Sequence, residues 1–108
     1  MAEFVYLFRG GLTEGSPEQM QQHMQKWMGW MKELTATGNF KGGNPLEKGG
    51  KVVSQKNVND GPFAEAKDVV GGYLLVEAKD LNHAIELSRA WLILPVGGTV
   101  EVRPVAKM

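Results

Sequence analysis

The stretch "GGYLLVEA", residues 71 to 78, predicts a β-strand that is hydrophobic on both of its faces. Successive side chains of a strand point to opposite faces, and here Tyr73 and Leu75 on one face are matched by Leu74 on the other. The segment "EFVYLFR", residues 3 to 9, has the same property. Strands of this kind are buried on both faces, so the two segments are expected to be the central strands of one sheet.

Two further segments are half polar, as strands at the edge of a sheet can be. The segment "KVVSQKNV", residues 51 to 58, contains four polar residues in succession. The segment "GTVEVRPV", residues 98 to 105, alternates valines with charged residues. Residues 39 to 50 are rich in glycine, which predicts a loop or a short irregular strand before the first of these edge strands.

The first predicted helix has a complete start signal. Ser16 is placed to cap it, Pro17 suits its first position, and Gln19 completes a capping box. The helix is expected to run from residue 17 to residue 37, where Gly38 provides a stop. Its inner positions follow helical spacing and are Met20, Met24, Trp27, Met28, Met31 and Leu34.

A second helix is expected over residues 80 to 92, because Asp80 is a good capping residue. The chain therefore reads strand, helix, strand, strand, helix, strand, which is the ferredoxin-like βαββαβ arrangement of a single α+β domain, residues 1 to 108. We expect a four-stranded antiparallel sheet in the order 4-1-3-2 with both helices on one face. The inner positions of the second helix are Leu81, Ala84, Ile85, Ser88 and Leu92.

The second face of the sheet predicts the quaternary structure. Two helices cover only one face of a four-stranded sheet, so the apolar second face of the central strands needs another partner. We expect a homodimer through this face. A pocket would then form between the sheet and the helices, or between the subunits.

Composition excludes several classes of protein. Lys plus Arg and Asp plus Glu number 12 each, so neither nucleic acid nor an anionic membrane is an expected partner. The chain has no cysteine, which excludes disulfides, thiolate metal sites and cysteine nucleophiles and suits a reducing compartment. The start of the chain, "MAEFVYLFRGG", has too short an apolar run for a signal peptide or a membrane span. We therefore expect a cytoplasmic protein.

The stretch "NVNDGPFAEAK", residues 57 to 67, has two interpretations. Asp, Gly and Pro are common turn residues, so one is a tight loop between strands. The other is functional, because the residue two positions after Asp60 is Pro62, which has no N–H for the acid to bind. The Asp60 carboxylate would then help to form the polar floor of a cleft near the first helix. Gly61 would let the backbone approach a ligand, and Phe63 would form an apolar wall.

His23 falls inside the apolar sector of the first helix, since successive residues of a helix are about 100° apart. One interpretation is a core histidine with its hydrogen bonds satisfied. The other is a general base near Trp27 and Trp30, with its ring N–H bound to a carboxylate. Asp60 is the carboxylate that we expect, and it would orient and stabilise the imidazolium.

Other candidates give weaker signals. His83 points away from the inner face of its helix and is expected on the solvated surface, and two histidines on different helices without cysteine predict no metal site. Glu65 and Lys67 are expected in a solvated loop or in contact with substrate. Arg9 and Arg103 either hold an anion together or pair with acidic side chains. The methionines of the first helix resemble a cofactor lining, but their spacing favours adaptable core. No glycine-rich phosphate-binding pattern is present, so no cofactor is predicted.

Several motifs, taken in order, resemble the DGPF-domain branch of the YCII-related proteins. They are the tetrapeptide "DGPF", the following "AEAK", the strand start "GGY", the helix "DLNHAIEL" and the terminal "GGTVEVRPV". The first half of the chain agrees with that family in having a strand and a long helix. The resemblance implies a dimeric ferredoxin-like fold with an α/β-barrel-like assembly.

The resemblance implies two kinds of function. Genes of the DGPF type often stand beside extracytoplasmic-function sigma factors, whereas relatives in the wider YCII group are suspected enzymes that use a His and Asp pair. Their Asp belongs to a later segment, which here reads "RAWLILPVGG" and contains no acid. The hypotheses are thus a protein that binds or transforms an unknown small molecule, or a non-catalytic regulatory protein linked to a sigma factor. The residues expected at the small-molecule site are His23 and Asp60 as catalytic pair, with Tyr6, Trp27, Trp30, Gly61, Pro62, Phe63 and Glu65 contacting the ligand.

Overall fold

The computed structural model describes residues 1–10, 16–47, 49–61, 69–89 and 98–107. None of the helices in this part of the chain is long and apolar enough to cross a membrane. The elements in chain order are β1 (Ala2–Arg9), α1 (Pro17–Ala36), β2 (Phe40–Pro45), β3 (Gly50–Val53), β4 (Val58–Gly61), β5 (Val70–Ala78), α2 (Leu81–Ser88) and β6 (Thr99–Pro104).

Four of the strands form an antiparallel sheet in the order β2-β5-β1-β6. The two strands that are apolar on both faces, β1 and β5, lie at its centre, with Val5 opposite Leu75 and Tyr6 opposite Leu74. Numbered along the chain, these four strands have the predicted order 4-1-3-2. The fold of the described residues is therefore α+β, with two helices and antiparallel sheets.

The sequence analysis predicted residues 51 to 58 as the edge strand beside β5, and this prediction was wrong. The edge strand is β2, Phe40–Pro45. A glycine-rich segment is a weak strand by propensity, but glycine allows another backbone to come close. Gly43 has a φ of 144°, and a Cβ at this position would clash with the carbonyl oxygen of Tyr73. The glycines that predicted a loop or an irregular strand are thus what allows β2 to pair with β5.

The segment predicted as one strand, residues 51 to 58, instead bends into a hairpin. Its turn is closed by the backbone N–H of Ser54, which donates to the carbonyl oxygen of Asn57 over 2.8 Å. Val53 then lies directly opposite Val58, and β3 and β4 form a separate two-stranded sheet. The polar residues that were taken for an exposed strand edge are turn residues. We call residues 50 to 61 the hairpin.

The start of α1 confirms the predicted capping box. The Ser16 hydroxyl accepts a hydrogen bond from the Gln19 N–H, and the Gln19 side chain accepts one from the Ser16 N–H. Gly38 follows the helix with a φ of 78°, which is the left-handed stop that glycine provides. For α2, the Asp80 carboxylate accepts from the N–H of His83, as a cap does.

The helix α2 is shorter than predicted. It ends at Ser88, whereas the sequence analysis extended it to residue 92. Residues 90 to 92 of the predicted helix lie outside the described residues.

The core lies on one side of the four-stranded sheet, between the sheet and the helices. The opposite side carries Val5, Leu7, Tyr73 and Leu75, which are half-buried, and we call it the helix-free face. The buried hydrophobic residues are Phe4, Tyr6 and Phe8 of β1, Leu74, Val76 and Ala78 of β5, Trp27, Trp30 and Leu34 of α1, and Ala84 of α2.

Some inner positions predicted for the helices are exposed. We call Met20, Met24 and Met28 the methionine row, and all three side chains are exposed, Met28 to 63%. At about 100° per residue, Met24 and Met28 lie about 90° and 130° away from the direction shared by the buried residues of α1. Met31 does pack against the core, and Leu81 of α2 is also exposed. The apolar sector of α1 is therefore wider than the surface that the sheet covers.

Candidate functional site

Four aromatic rings pack together between β1 and α1. The rings of Tyr6 and Trp30 are stacked, with centroids 6.1 Å apart and an interplanar angle of 13°. The rings of Phe8 and Trp27 meet edge to face at 5.2 Å. Phe8 was not among the predicted site residues, although its position two residues after Tyr6 places it on the same face of the strand. These contacts form one aromatic cluster under α1.

Tyr6 connects this cluster to α2. Its hydroxyl is fully buried and donates a hydrogen bond to the carbonyl oxygen of Ala84. Burial raises the pKa of Tyr6 well above its ordinary value, so the phenol stays protonated and remains a donor. Tyr6, Trp27 and Trp30 are almost wholly buried and pack on one another, so they form core rather than an open lining. Their contact with a ligand stays a prediction.

His23 is half-buried on α1, one helical turn before Trp27. Burial lowers the pKa of His23, and the positive charge of Lys26 lowers it further. Lys26 was missed in the sequence analysis, although its spacing of three residues puts both side chains on one side of the helix. The lowered pKa favours the neutral imidazole at neutral pH, which is the form in which a histidine can act as a proton acceptor.

Asp60 lies in β4, the second strand of the hairpin, and not in a turn. Its side chain is 89% exposed and forms an ion pair with Lys51, the residue directly opposite on β3. Within the described residues no hydrogen bond joins Asp60 to His23. In the described residues Asp60 is thus exposed on the hairpin and paired with Lys51, and its place in the polar floor of a cleft stays a prediction.

The other residues expected at the site surround Asp60 in sequence. Gly61 ends β4 and lies opposite Gly50. Pro62, Phe63 and Glu65 lie outside the described residues, as does Lys67. The structure therefore brings together the aromatic candidates and His23 on β1 and α1, and places Asp60 and Gly61 on a different element.

The weaker candidates have structural roles. His83 is half-buried, and its Nδ1 accepts a hydrogen bond from the backbone N–H of Lys79 over 3.0 Å, so it takes part in the start of α2 rather than only facing solvent. Arg9 pairs with Glu101 at 2.6 Å, and Arg103 lies 3.8 Å from the same carboxylate. The pairing of both arginines with an acid is the alternative that the structure supports. The described residues contain no group of three His, Cys, Asp or Glu side chains able to hold a metal ion.

A family model for the YCII-related domain matches residues 5–108. The chain belongs to the YCII-related family. No curated protein matches this YCII-related chain. Among solved structures it is similar to 5-chloro-2-hydroxyhydroquinone dehydrochlorinase of Burkholderia phenoliruptrix AC1100, in complex with 2,5-dihydroxybenzoquinone, with 16% identity and a TM-score of 0.46. The match covers 98% of this chain and 94% of that one.

Proposed function

We propose that this YCII-related protein binds or transforms a small organic molecule beside the N-terminal half of α1, with His23 as the proton acceptor. The observation that carries the proposal is the half-buried imidazole of His23, whose pKa is lowered by burial and by Lys26. A half-buried histidine with a lowered pKa, one helical turn from a packed aromatic cluster, is a candidate for a general base. The motif "DGPF" further favours the DGPF branch of the family.

The chemistry of this base follows from its surroundings. A neutral imidazole accepts a proton from an acidic C–H or O–H of the bound molecule. Burial and the charge of Lys26 then disfavour the imidazolium, which returns the proton readily. In the proposed site Asp60 is a polar contact for the ligand. Gly61, Pro62, Phe63 and Glu65, which come after it in the sequence, are further contacts. The exposed position of Asp60 means that it approaches a ligand from the hairpin.

A screen of small metabolites by thermal shift tests this function. Compounds that raise the melting temperature of the wild-type protein are re-measured with His23→Gln, which keeps a polar side chain but cannot accept the same proton. His83→Gln is the matched control, because it removes the chain's other histidine from α2. The proposal expects binding to be lost in the first variant and kept in the second.

A second candidate is a non-catalytic regulatory protein, and the resemblance points to a sigma factor as its partner. The exposed methionine row favours it, because flexible thioether side chains are over-used at surfaces that bind other proteins. A pull-down with the wild-type protein and a Met24→Gln, Met28→Gln variant separates the candidates. Loss of a captured sigma factor in the variant, without any metabolite that binds, would support the regulatory function.

We also propose that the protein is a cytoplasmic homodimer with a ferredoxin-like subunit and an α/β-barrel-like assembly. The helix-free face supports this, because Val5, Leu7, Tyr73 and Leu75 form an apolar stripe across its two central strands. In the described structure both helices lie on the other side of the sheet. The absence of cysteine from the chain supports the reducing compartment.

A further inference from the structure

The hairpin stands apart from the body of the molecule. Among the described residues its two strands pair only with each other, and neither is hydrogen-bonded to a strand of the four-stranded sheet. The radius of gyration is 14.9 Å, whereas a compact domain of this length is expected at about 13 Å. A two-stranded hairpin is marginally stable by itself and normally packs on something else.

The shape of the chain shows where the hairpin lies. The Cα atoms extend over 42 × 41 × 20 Å. Packed layers are about 10 Å apart, so the shortest extent accommodates the sheet and one layer of helices, and a third layer would add about 10 Å. These extents agree with a hairpin that lies beside the two layers, and the exposure of Val53 and Val58 shows that this side of the hairpin is not covered by its own chain.

One side of the hairpin is apolar and exposed. Val53 and Val58 are a directly opposed pair, and their side chains are 72% and 64% exposed. The next pair on the same side, two residues away on each strand, is Lys51 with Asp60, which neutralise each other. An uncharged apolar pair beside a compensated ion pair suits contact with a protein surface better than contact with a polyanion.

We propose that this valine side of the hairpin packs against the helix-free face of a second copy of the chain. The inference rests on the homodimer of the proposed function and adds a specific contact to it. In a two-fold dimer the contact occurs twice, so each subunit covers apolar surface that its own fold leaves open. Asp60 lies on the same side of the hairpin as the valines, so it reaches the subunit boundary and contributes to a site that a single chain leaves incomplete.

Sedimentation velocity over a dilution series tests the contact. Val53→Lys with Val58→Lys places two charges in it and is expected to weaken dimerisation at least about tenfold, which corresponds to about 1.4 kcal/mol. Asn59→Lys is the matched control, since Asn59 lies on the other side of the same strand, and it is expected to change the dissociation constant less than about threefold. Circular dichroism confirms that each variant is folded.

A cysteine probe separates failure of this contact from failure of the dimer. Because the chain has no cysteine, Val53→Cys carries the only thiol, and its reaction with a maleimide is expected to be slow in the dimer and fast after dilution to monomer. Leu75→Arg disrupts the helix-free face itself. If Leu75→Arg gives a monomer while the hairpin variant stays dimeric and Val53→Cys reacts at the monomer's rate, the hairpin contact is overturned and the dimer stands. A monomeric wild-type protein overturns both.

Discussion

Lys51 and Asp60 face each other across the hairpin and form an ion pair whose side chains are both exposed to solvent. The pair gives the Asp60 carboxylate a partner within the hairpin. The carboxylate therefore does not need a hydrogen bond from a turn. Exposed ion pairs contribute little to stability, because water screens them and two long side chains must be held in place.

We therefore expect Asp60→Asn, which keeps the shape and removes the charge, to change the free energy of unfolding by less than about 1 kcal/mol. Urea denaturation followed by tryptophan fluorescence measures this change. Loss of ligand binding with such a small effect would assign Asp60 a function. A loss of stability above about 2 kcal/mol, with unaltered affinity in the folded fraction, would make its role structural.

The buried hydroxyl of Tyr6 makes a different prediction. Tyr6→Phe removes the donor to the carbonyl oxygen of Ala84 and is expected to cost about 1–2 kcal/mol, the scale of a buried hydrogen bond. Tyr73→Phe is the matched control on the helix-free face, since in the described residues Tyr73 makes no side-chain hydrogen bond. Urea denaturation at neutral pH compares the two variants. Equal costs would contradict the assignment.

Two glycines predict opposite outcomes for the same substitution. Gly43→Ala places a methyl group against the backbone of Tyr73 at a φ of 144°, and we expect it to cost about 2 kcal/mol or more. Gly29→Ala lies on α1 with nothing within 4 Å of the added atom, and it should stabilise the helix by up to about 1 kcal/mol. Thermal unfolding of both variants tests the close approach of β2 to β5. A Gly43→Ala protein as stable as the wild type would show that β2 does not pair as described.

The position of His23 predicts how stability depends on pH. Between the lowered pKa of His23 and the ordinary value of about 6.5, the unfolded chain binds more protons than the folded one. The free energy of unfolding should therefore fall as the pH is lowered through this window, and should not depend on His23 above it. His23→Gln is expected to remove that part of the slope, and Lys26→Gln to reduce it. Urea denaturation at several pH values from 5 to 8 measures how the free energy of unfolding depends on pH. His83→Gln is the control, and it is expected to retain the contribution of His23.

The sequence predicted the elements whose signals are local. The capping box of Ser16 and Gln19 and the cap at Asp80 follow from hydrogen bonds within one helical turn, and both are present. The central position of β1 and β5 follows from apolar residues on both faces of each strand. These features need only the side chains in the segment itself.

The sequence did not predict features that depend on contacts distant in the chain. Gly43 pairs with Leu74 across the sheet, and this close approach decides which segment becomes the edge strand. The bend at Ser54 places Asp60 in the second strand of a hairpin, where the sequence analysis had expected one continuous strand before it. The exposure of Met28 depends on how much of α1 the sheet covers, which periodicity does not report. His23 was found by its helical sector, but the effect of Lys26 on its pKa was not anticipated.

Nuclear magnetic resonance of the His23 imidazole in the His83→Gln variant tests the central claim most directly, because this variant contains a single histidine. The account predicts that the ring titrates with a pKa below the ordinary value of about 6.5, and that a compound found by thermal shift displaces the ring signals as it saturates the protein. A pKa at or above the ordinary value, with ring signals that do not move at saturation, would contradict the proposal that His23 is the functional base.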